Sequence, residues 1–272
     1  MDRAAVAAIA DALITAYDSA STLPLISAAF ADFDVDAAYD VLHAIETRRR
    51  AQGWQSVGRK IGFTNRTIWP RYGVYRPMWA HIWTHTVHHA RDGRATLSLA
   101  NFVQPRIEPE VVFGLAAPVP PAADPRTILD SVAWIAPGFE IVQSHFPAWK
   151  FTAADCTAAF GLHGALVVGT PVALDAALRD RLTELLPAFE LTLACGDAAV
   201  DHGRGDHVLG SPAHALSHLV LVLAGQPQFP PLAAGEIVTT GTLTDAWPVA
   251  AGETWRSDYG SLGISGLEVD FR

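Results

Sequence analysis

Three glutamates in apolar settings offer the first chemistry. Glu108 and Glu110 lie in the string Arg106-Ile107-Glu108-Pro109-Glu110-Val111-Val112-Phe113-Gly114, and Glu140 lies in the run Phe139-Glu140-Ile141-Val142. Residues two apart on a strand point to the same face, so Glu108 and Glu110 project side by side. Adjacent anions among apolar neighbours are costly unless a cation neutralises them. Three carboxylates and water oxygens suit a hard divalent ion such as Mg²⁺ or Mn²⁺, not a thiolate-seeking one. Glu-x-Glu is also common on exposed strand faces, so the spacing alone marks only a candidate. A rival set is His81, His85, His88 and His89, whose i, i+4 spacing would bring two imidazoles to one helix face for zinc or nickel. Pro77 and the β-branched Thr84, Thr86 and Val87 argue against a helix there.

The elements that must position these groups change character along the chain. Val6, Ile9, Ala10, Leu13, Ile14 and Tyr17 recur at helical spacing, and a second helix is predicted from the Asp34–Asp36 region to Arg50, with Gly53 as its stop. From Gly58 to Thr86 the sequence is rich in Gly, Pro, Trp and Tyr without helical period, and reads as loop and short strand covering a site. Strand-like runs follow at 106–115, 139–142, 164–168, 189–193, 237–243 and 267–271. Between them lie a predicted helix at 126–133 and a clearer one opening at Ser211, a good N-cap followed by Pro212. The Pro118–Pro125 stretch reads as a surface loop. The division expected is a helical part over residues 1–57 and a β-rich catalytic part over 58–272.

Half of the 272 residues are apolar, enough for a sizeable core, and the formal charge of -9 argues against nucleic acid as the main partner. Cys156 and Cys195 are the only cysteines, which favours free thiols in a reducing compartment over a disulfide framework. The apolar N-terminus carries Asp2, Asp11 and Asp18, against a targeting signal, and no stretch reaches the ~18 uncharged apolar residues of a membrane span. A cytoplasmic protein without membrane contact is expected.

The string Gly58-Arg59-Lys60-Ile61-Gly62-Phe63-Thr64-Asn65-Arg66-Thr67-Ile68-Trp69 resembles the lysine-bearing segment of 2-keto-4-pentenoate hydratases and 4-oxalocrotonate decarboxylases, a branch of the fumarylacetoacetate hydrolase superfamily. Ile107-Glu108-Pro109-Glu110, Glu140-Ile141-Val142-Gln143-Ser144 and Trp149-Lys150-Phe151-Thr152-Ala153-Ala154-Asp155 follow in the family's order. Leu209-Gly210-Ser211-Pro212, Thr240-Gly241-Thr242 and Leu262-Gly263 complete it, so the resemblance runs from about Gly58 to the C-terminus. It implies an α+β fold, a mixed β-roll with flanking helices and a smaller helical N-terminal part. It also implies Glu108, Glu110 and Glu140 as metal ligands for Mg²⁺ or Mn²⁺, a homo-oligomer, and a small 2-oxo acid as substrate.

The implied activity is that of a hydro-lyase, which adds water to a 2-hydroxy-2,4-dienoate through a metal-stabilised enolate. Lys60 would bind the substrate carboxylate or shuttle a proton, and Asp155 would orient Lys60 or a water. Gly241, Thr242, Phe63 and His163 are implied near the substrate. The chain departs from the pattern at Thr84 and Ala159, where relatives carry acidic residues, which puts hydration in particular in doubt. Trp69, Tyr72, Tyr75, Trp79 and Trp83 suggest a bulky apolar wall. Alternative readings are decarboxylation of a 2-oxo-enedioate and C–C hydrolysis of an acylpyruvate. The hydrolases rely on a Glu/His pair for which the sequence shows no counterpart. A repurposed or catalytically silent protein that binds a 2-oxo acid is a further alternative.

Overall fold

The computed structural model describes residues 1–66, 69–121 and 124–272, with residues 71 and 72 described by backbone only. Helix α1 (Arg3–Asp18) starts where the Asp2 carboxylate accepts from the Ala5 N–H, and its stripe of Ile9, Ala10, Leu13 and Ile14 is buried. A single turn, α2 (Ile26–Ala29), leads to α3 (Val35–Ala51), capped by Asp34 and closed by Arg48, Arg49 and Arg50. These helices share an apolar cluster with Phe146, Ala158 and Phe160 from further along the chain.

Next come β1 (Ser56–Gly62), α4 (Trp69–Tyr72), β2 (Met78–Trp83), β3 (Val87–His89), β4 (Arg94–Leu97) and β5 (Arg106–Leu115). They are followed by α5 (Pro125–Asp130), β6 (Val132–Val142), α6 (Ala153–Ala158), β7 (His163–Val168), β8 (Val172–Ala173) and α7 (Ala176–Ala188). The chain closes with β9 (Glu190–Cys195), β10 (Ala198–Arg204), α8 (Pro212–Ala224), β11 (Ile237–Thr239), β12 (Trp247–Pro248), β13 (Thr254–Asp258) and β14 (Leu267–Phe271).

The larger sheet runs β2-β1-β11-β5-β6-β7-β3, with β12 also on β5 and β8 also on β6; the smaller runs β10-β9-β13-β14-β4. Parallel pairs (β1 with β11, β3 with β7) mix with antiparallel ones such as β5 with β6. The core takes Phe113, Phe139 and Ile141 from the larger sheet and Leu193, Val269 and Phe271 from the smaller. This is the mixed α+β architecture expected.

Strands β5 and β14 have the bounds read from their apolar patterns, and α8 opens on the Ser211 cap. Other expectations change. The helix at 126–133 stops at Asp130, because Val132 already belongs to β6. The strand at 237–243 stops at Thr239, and Gly241 beyond it turns at φ +99°. Residues 58–86 are no mere cover: β1 lies inside the sheet between β2 and β11. A Cβ at Gly58 would stand 1.9 Å from the Ile237 carbonyl oxygen, so the close β1–β11 approach requires glycine and thereby hides the strand's pattern.

The aromatic wall is not formed as expected. Trp79 stacks on Tyr39 at 5.7 Å, Trp83 packs on Trp54, and Tyr75 is exposed. The Tyr72 side chain lies outside the described residues, as do Thr67 and Ile68 of the lysine-bearing string and residues 122 and 123 of the Pro118–Pro125 stretch.

Candidate active site

Antiparallel pairing of β5 with β6 sets Glu108 directly across from Glu140, with Glu110 one same-face step along. One carboxylate oxygen from each of the three lies within 4.8 Å of the other two. Among the described residues this is the only group of three or more His, Cys, Asp or Glu side chains so placed. The four histidines of the rival set do not converge. His81 is buried between Glu46 and Ser56, and His85 packs on Trp54.

The surrounding elements fix each carboxylate. Lys60 reaches across from β1, its Nζ 3.0 Å from Glu140 Oε2 and donating to the Gly161 carbonyl at 3.1 Å. His163, at the start of β7, places Nδ1 2.8 Å from Glu140 Oε1 and Nε2 2.8 Å from the Thr86 hydroxyl. The Gly241 N–H donates to Glu110 Oε2 at 2.6 Å, and the Tyr259 hydroxyl donates to the Glu110 carbonyl. Gly241 has a positive φ, and a Cβ there would sit 1.8 Å from Thr64 Oγ1. Glycine is therefore needed both for the turn and for the close approach.

Electrostatics bear on whether a cation fits. Burial pushes the Glu108 carboxyl up to about 7, with Glu140 adding to the rise and Lys60 opposing it. Burial, with Glu140 and Glu108 close by, raises Glu110 well above the carboxylate range. Burial would raise Glu140 too, but Lys60 and His163 outweigh it and hold the group down at about 2. For Lys60, burial alone would favour the neutral amine; Glu140, Glu108 and Glu110 overcome it, and the ammonium is retained above its usual range. Two buried carboxylates and the half-buried one of Glu108 thus face one ammonium. Glu110 Oε1 has no hydrogen-bond partner, and Glu140 Oε2 has the Lys60 ion pair but no well-aligned hydrogen bond. Orphaned oxygens with too little positive charge are what a hard divalent ion satisfies, so the residues present fit one.

A cavity opens over this cluster. Its polar lining includes Lys60, Thr64, Glu108 and Thr242, and its apolar lining includes Phe63, Met78, Phe151 and Leu162. Arg106 and Trp149 also line it, with the guanidinium 4.2 Å from the indole ring. Of the sequence-derived candidates, Lys60, Glu108, Phe63 and Thr242 border the cavity; Glu110 and Glu140 adjoin it through the cluster with Glu108, and Gly241 through its bond to Glu110. His163 sits behind Glu140 rather than on the cavity wall.

Asp155 requires a correction. Its carboxylate does not engage Lys60: it accepts from Ser27 N and Oγ and from Thr152 N and Oγ1, capping α6 and tying it to α2. The Thr152-x-x-Asp155 spacing is a capping-box signature legible in the sequence. Thr84 is exposed and bonded to the Gln55 carbonyl, and Ala159 is buried against the N-terminal helices. Neither departure touches the cavity wall, whereas Met78 does. Sequence reasoning missed Thr64, Met78, Arg106 and Trp149 as cavity residues. Arg106 could have been found, since it stands two residues before Glu108 on the same strand face.

The chain matches the model of the fumarylacetoacetate (FAA) hydrolase C-terminal domain over residues 76–269. It is 31% identical to 2-keto-4-pentenoate hydratase 1 of Dechloromonas aromatica, covering 85% of this chain and 84% of that protein. It is 28% identical to 2-hydroxyhexa-2,4-dienoate hydratase of Comamonas testosteroni, covering 94% of each. Among solved structures, the 4-oxalocrotonate decarboxylase of Pseudomonas putida G7, complexed with magnesium and adipate, superposes with a TM-score of 0.90. That likeness covers 100% of this chain and 99% of the other at 23% identity. The chain belongs to the fumarylacetoacetate hydrolase superfamily, in the branch of the 2-keto-4-pentenoate hydratases and 4-oxalocrotonate decarboxylases.

Proposed function

We propose that the protein is a metal-dependent hydro-lyase that adds water to a 2-hydroxy-2,4-dienoate. The observation that carries this reading is the Glu108–Glu110–Glu140 cluster with its orphaned oxygens, set beneath a cavity beside the Lys60 ammonium. The relatives named hydratases support the reaction type. In this reading the three glutamates hold Mg²⁺ or Mn²⁺, which supplies Lewis acidity toward the carboxylate and 2-oxo group of the substrate.

The chain's own groups do the rest. Lys60 is a buried cation that donates to the Gly161 carbonyl and pairs with Glu140, which leaves donor capacity for the substrate. Its retained charge suits it to stabilise negative charge that develops on the substrate. Through its bond to Glu140, His163 fixes that carboxylate's orientation. Phe63, Met78, Phe151 and Leu162 exclude bulk water from the dienoate's carbon chain.

A second reading, decarboxylation of a 2-oxo-enedioate, is favoured by Arg106. Its guanidinium borders the cavity with no ion pair among the described residues, and a second carboxylate would fit there. The acylpyruvate hydrolase reading has less support, because no described cavity-lining residue is a histidine. The proposal carries with it a homo-oligomer and a cytoplasmic location. The free thiols of Cys156 and Cys195 fit a reducing compartment, and among the described residues no helix is long and apolar enough to cross a membrane.

The test is turnover. Incubated with Mg²⁺ and 2-hydroxypenta-2,4-dienoate in ¹⁸O-water, the enzyme should bleach the dienol absorbance and place solvent oxygen in the product. CO₂ release from a 2-oxo-enedioate, with no turnover of the dienoate, would replace hydration by the second reading.

A further inference from the structure

Two threonines line the cavity beside the carboxylate cluster, and their hydroxyls differ in what they already bond. The Thr242 hydroxyl donates to the Thr244 carbonyl at 3.0 Å and accepts from the Thr244 N–H at 3.3 Å. Its proton is engaged within its own turn. Thr64 is 1% exposed, and its Oγ1 has no hydrogen-bond partner. A buried hydroxyl without a partner is unfavourable, and native structures keep such groups where a ligand or water completes them.

The backbone holds this hydroxyl in place. Phe63, just beyond β1, has φ +55°, a left-handed turn that swings the chain out of the strand. The Thr64 carbonyl accepts from the Leu209 N–H at 3.1 Å, and Asn65 forms a bridge with Val208. Thr64 Oγ1 is thereby set against Gly241, close enough that a Cβ at position 241 would stand 1.8 Å away. Gly241 in turn donates to Glu110. Thr64 therefore adjoins both the cavity and the residue that braces a cluster carboxylate.

We infer that the Thr64 hydroxyl is a substrate-binding group, donating its free hydrogen bond to the carboxylate of the 2-oxo acid held over the glutamate cluster. This rests on the proposed function for the presence of that acid. Of the two threonines beside the cluster, it is Thr64 and not Thr242 whose hydroxyl is left to make this contact. A neutral, oriented donor adds to the attraction of Lys60 without adding another charge for the cluster to balance.

Thr64→Val replaces the hydroxyl by a methyl of similar shape, and Thr64→Ser keeps the hydroxyl. Calorimetry with Mg²⁺ and oxalate, a small dicarboxylate able to mimic the 2-oxo acid, should show Thr64→Val binding oxalate about tenfold or more weaker. Mg²⁺ alone should bind it as it binds the wild type, and Thr64→Ser should regain most of the oxalate affinity. In ligand-free protein the Thr64→Val melting temperature should equal or exceed that of the wild type, since an unpartnered buried hydroxyl is removed.

Equal oxalate affinity in wild type and Thr64→Val would overturn the inference, as would a lowered melting temperature, which would show the hydroxyl to be a structural partner. Wild-type protein that binds Mg²⁺ but no oxalate would refute Thr64 as the carboxylate site. Wild-type protein that binds neither would contradict the metal-cluster reading itself and bring down this inference with it.

Discussion

Strand β1 carries two buried cations in succession, Arg59 and Lys60, whose side chains point to opposite faces of the larger sheet. On the Arg59 face, Arg59 Nη1 lies 3.1 Å from Glu236 Oε2, and Arg50 Nε donates to Glu46 Oε1 at 2.9 Å. His81 lies between Glu46 and Ser56. Each acid there has a base. On the Lys60 face three carboxylates share one ammonium, two of their oxygens lack hydrogen bonds, and a cavity opens alongside. Both faces bury charge; only one is unbalanced. Imbalance next to open space, rather than burial of charge as such, marks the working side of the strand.

The largest contrast should come from Glu140→Gln, which removes a cluster charge and unpairs Lys60. Turnover should be abolished in a protein that still folds, checked by dienoate assay and circular dichroism; substantial residual activity would break the comparison. Lys60→Met should lower kcat by about 10²–10³-fold, the range for losing a positioned electrostatic donor, with Mg²⁺ binding kept. Across the strand, Arg59→Met should instead act on stability. Unpairing Glu236 should cost about 3–5 kcal/mol in denaturant unfolding, while kcat of the folded protein stays close to wild type. A variant with intact stability and no activity would place Arg59 on the working side.

The smallest effect concerns pH. Burial is the main cause of a His81 pKa lowered to about 4, and Glu46, despite its own burial, is held at about 2 chiefly by His81 and Arg50. The unfolded chain takes up a proton at His81 near its ordinary value of 6.5, before the folded protein does. Stability from this site should therefore fall as pH drops from about 6.5 towards 4, by on the order of 2–3 kcal/mol. Glu46 adds a further loss below about 4.5. His81→Asn should flatten the upper part of this curve in urea unfolding at a series of pH values; an unchanged slope would show that His81 is not the titrating group.

The two faces were unequally legible in the sequence. β5 could be read to the residue because ten residues of apolar pattern run between turn signals, and Glu108, Glu110 and Glu140 stood out as charges within apolar runs. Lys60 was legible only through the ordered motifs, because Gly58, Arg59 and Gly62 disguise β1 as a loop. The groups that gather on the Arg59 face were not foreseen, since Glu46, His81 and Glu236 come from a helix, a strand and a turn far apart in sequence. Asp155 was misread for the opposite reason. Its bonding partner Thr152 lies three residues away, and the local cap explained it better than any role at the site. Thr64 could not be recognised from sequence, because a hydroxyl's lack of a partner is a property of the packed structure.

The central claim is most directly tested by calorimetric titration of oxalate in the presence of Mg²⁺, using wild type and Glu108→Ala. Metal-dependent binding by the wild type that disappears in the variant is the predicted result. Oxalate binding of equal strength in both proteins, or in neither, would contradict a metal site built from Glu108, Glu110 and Glu140.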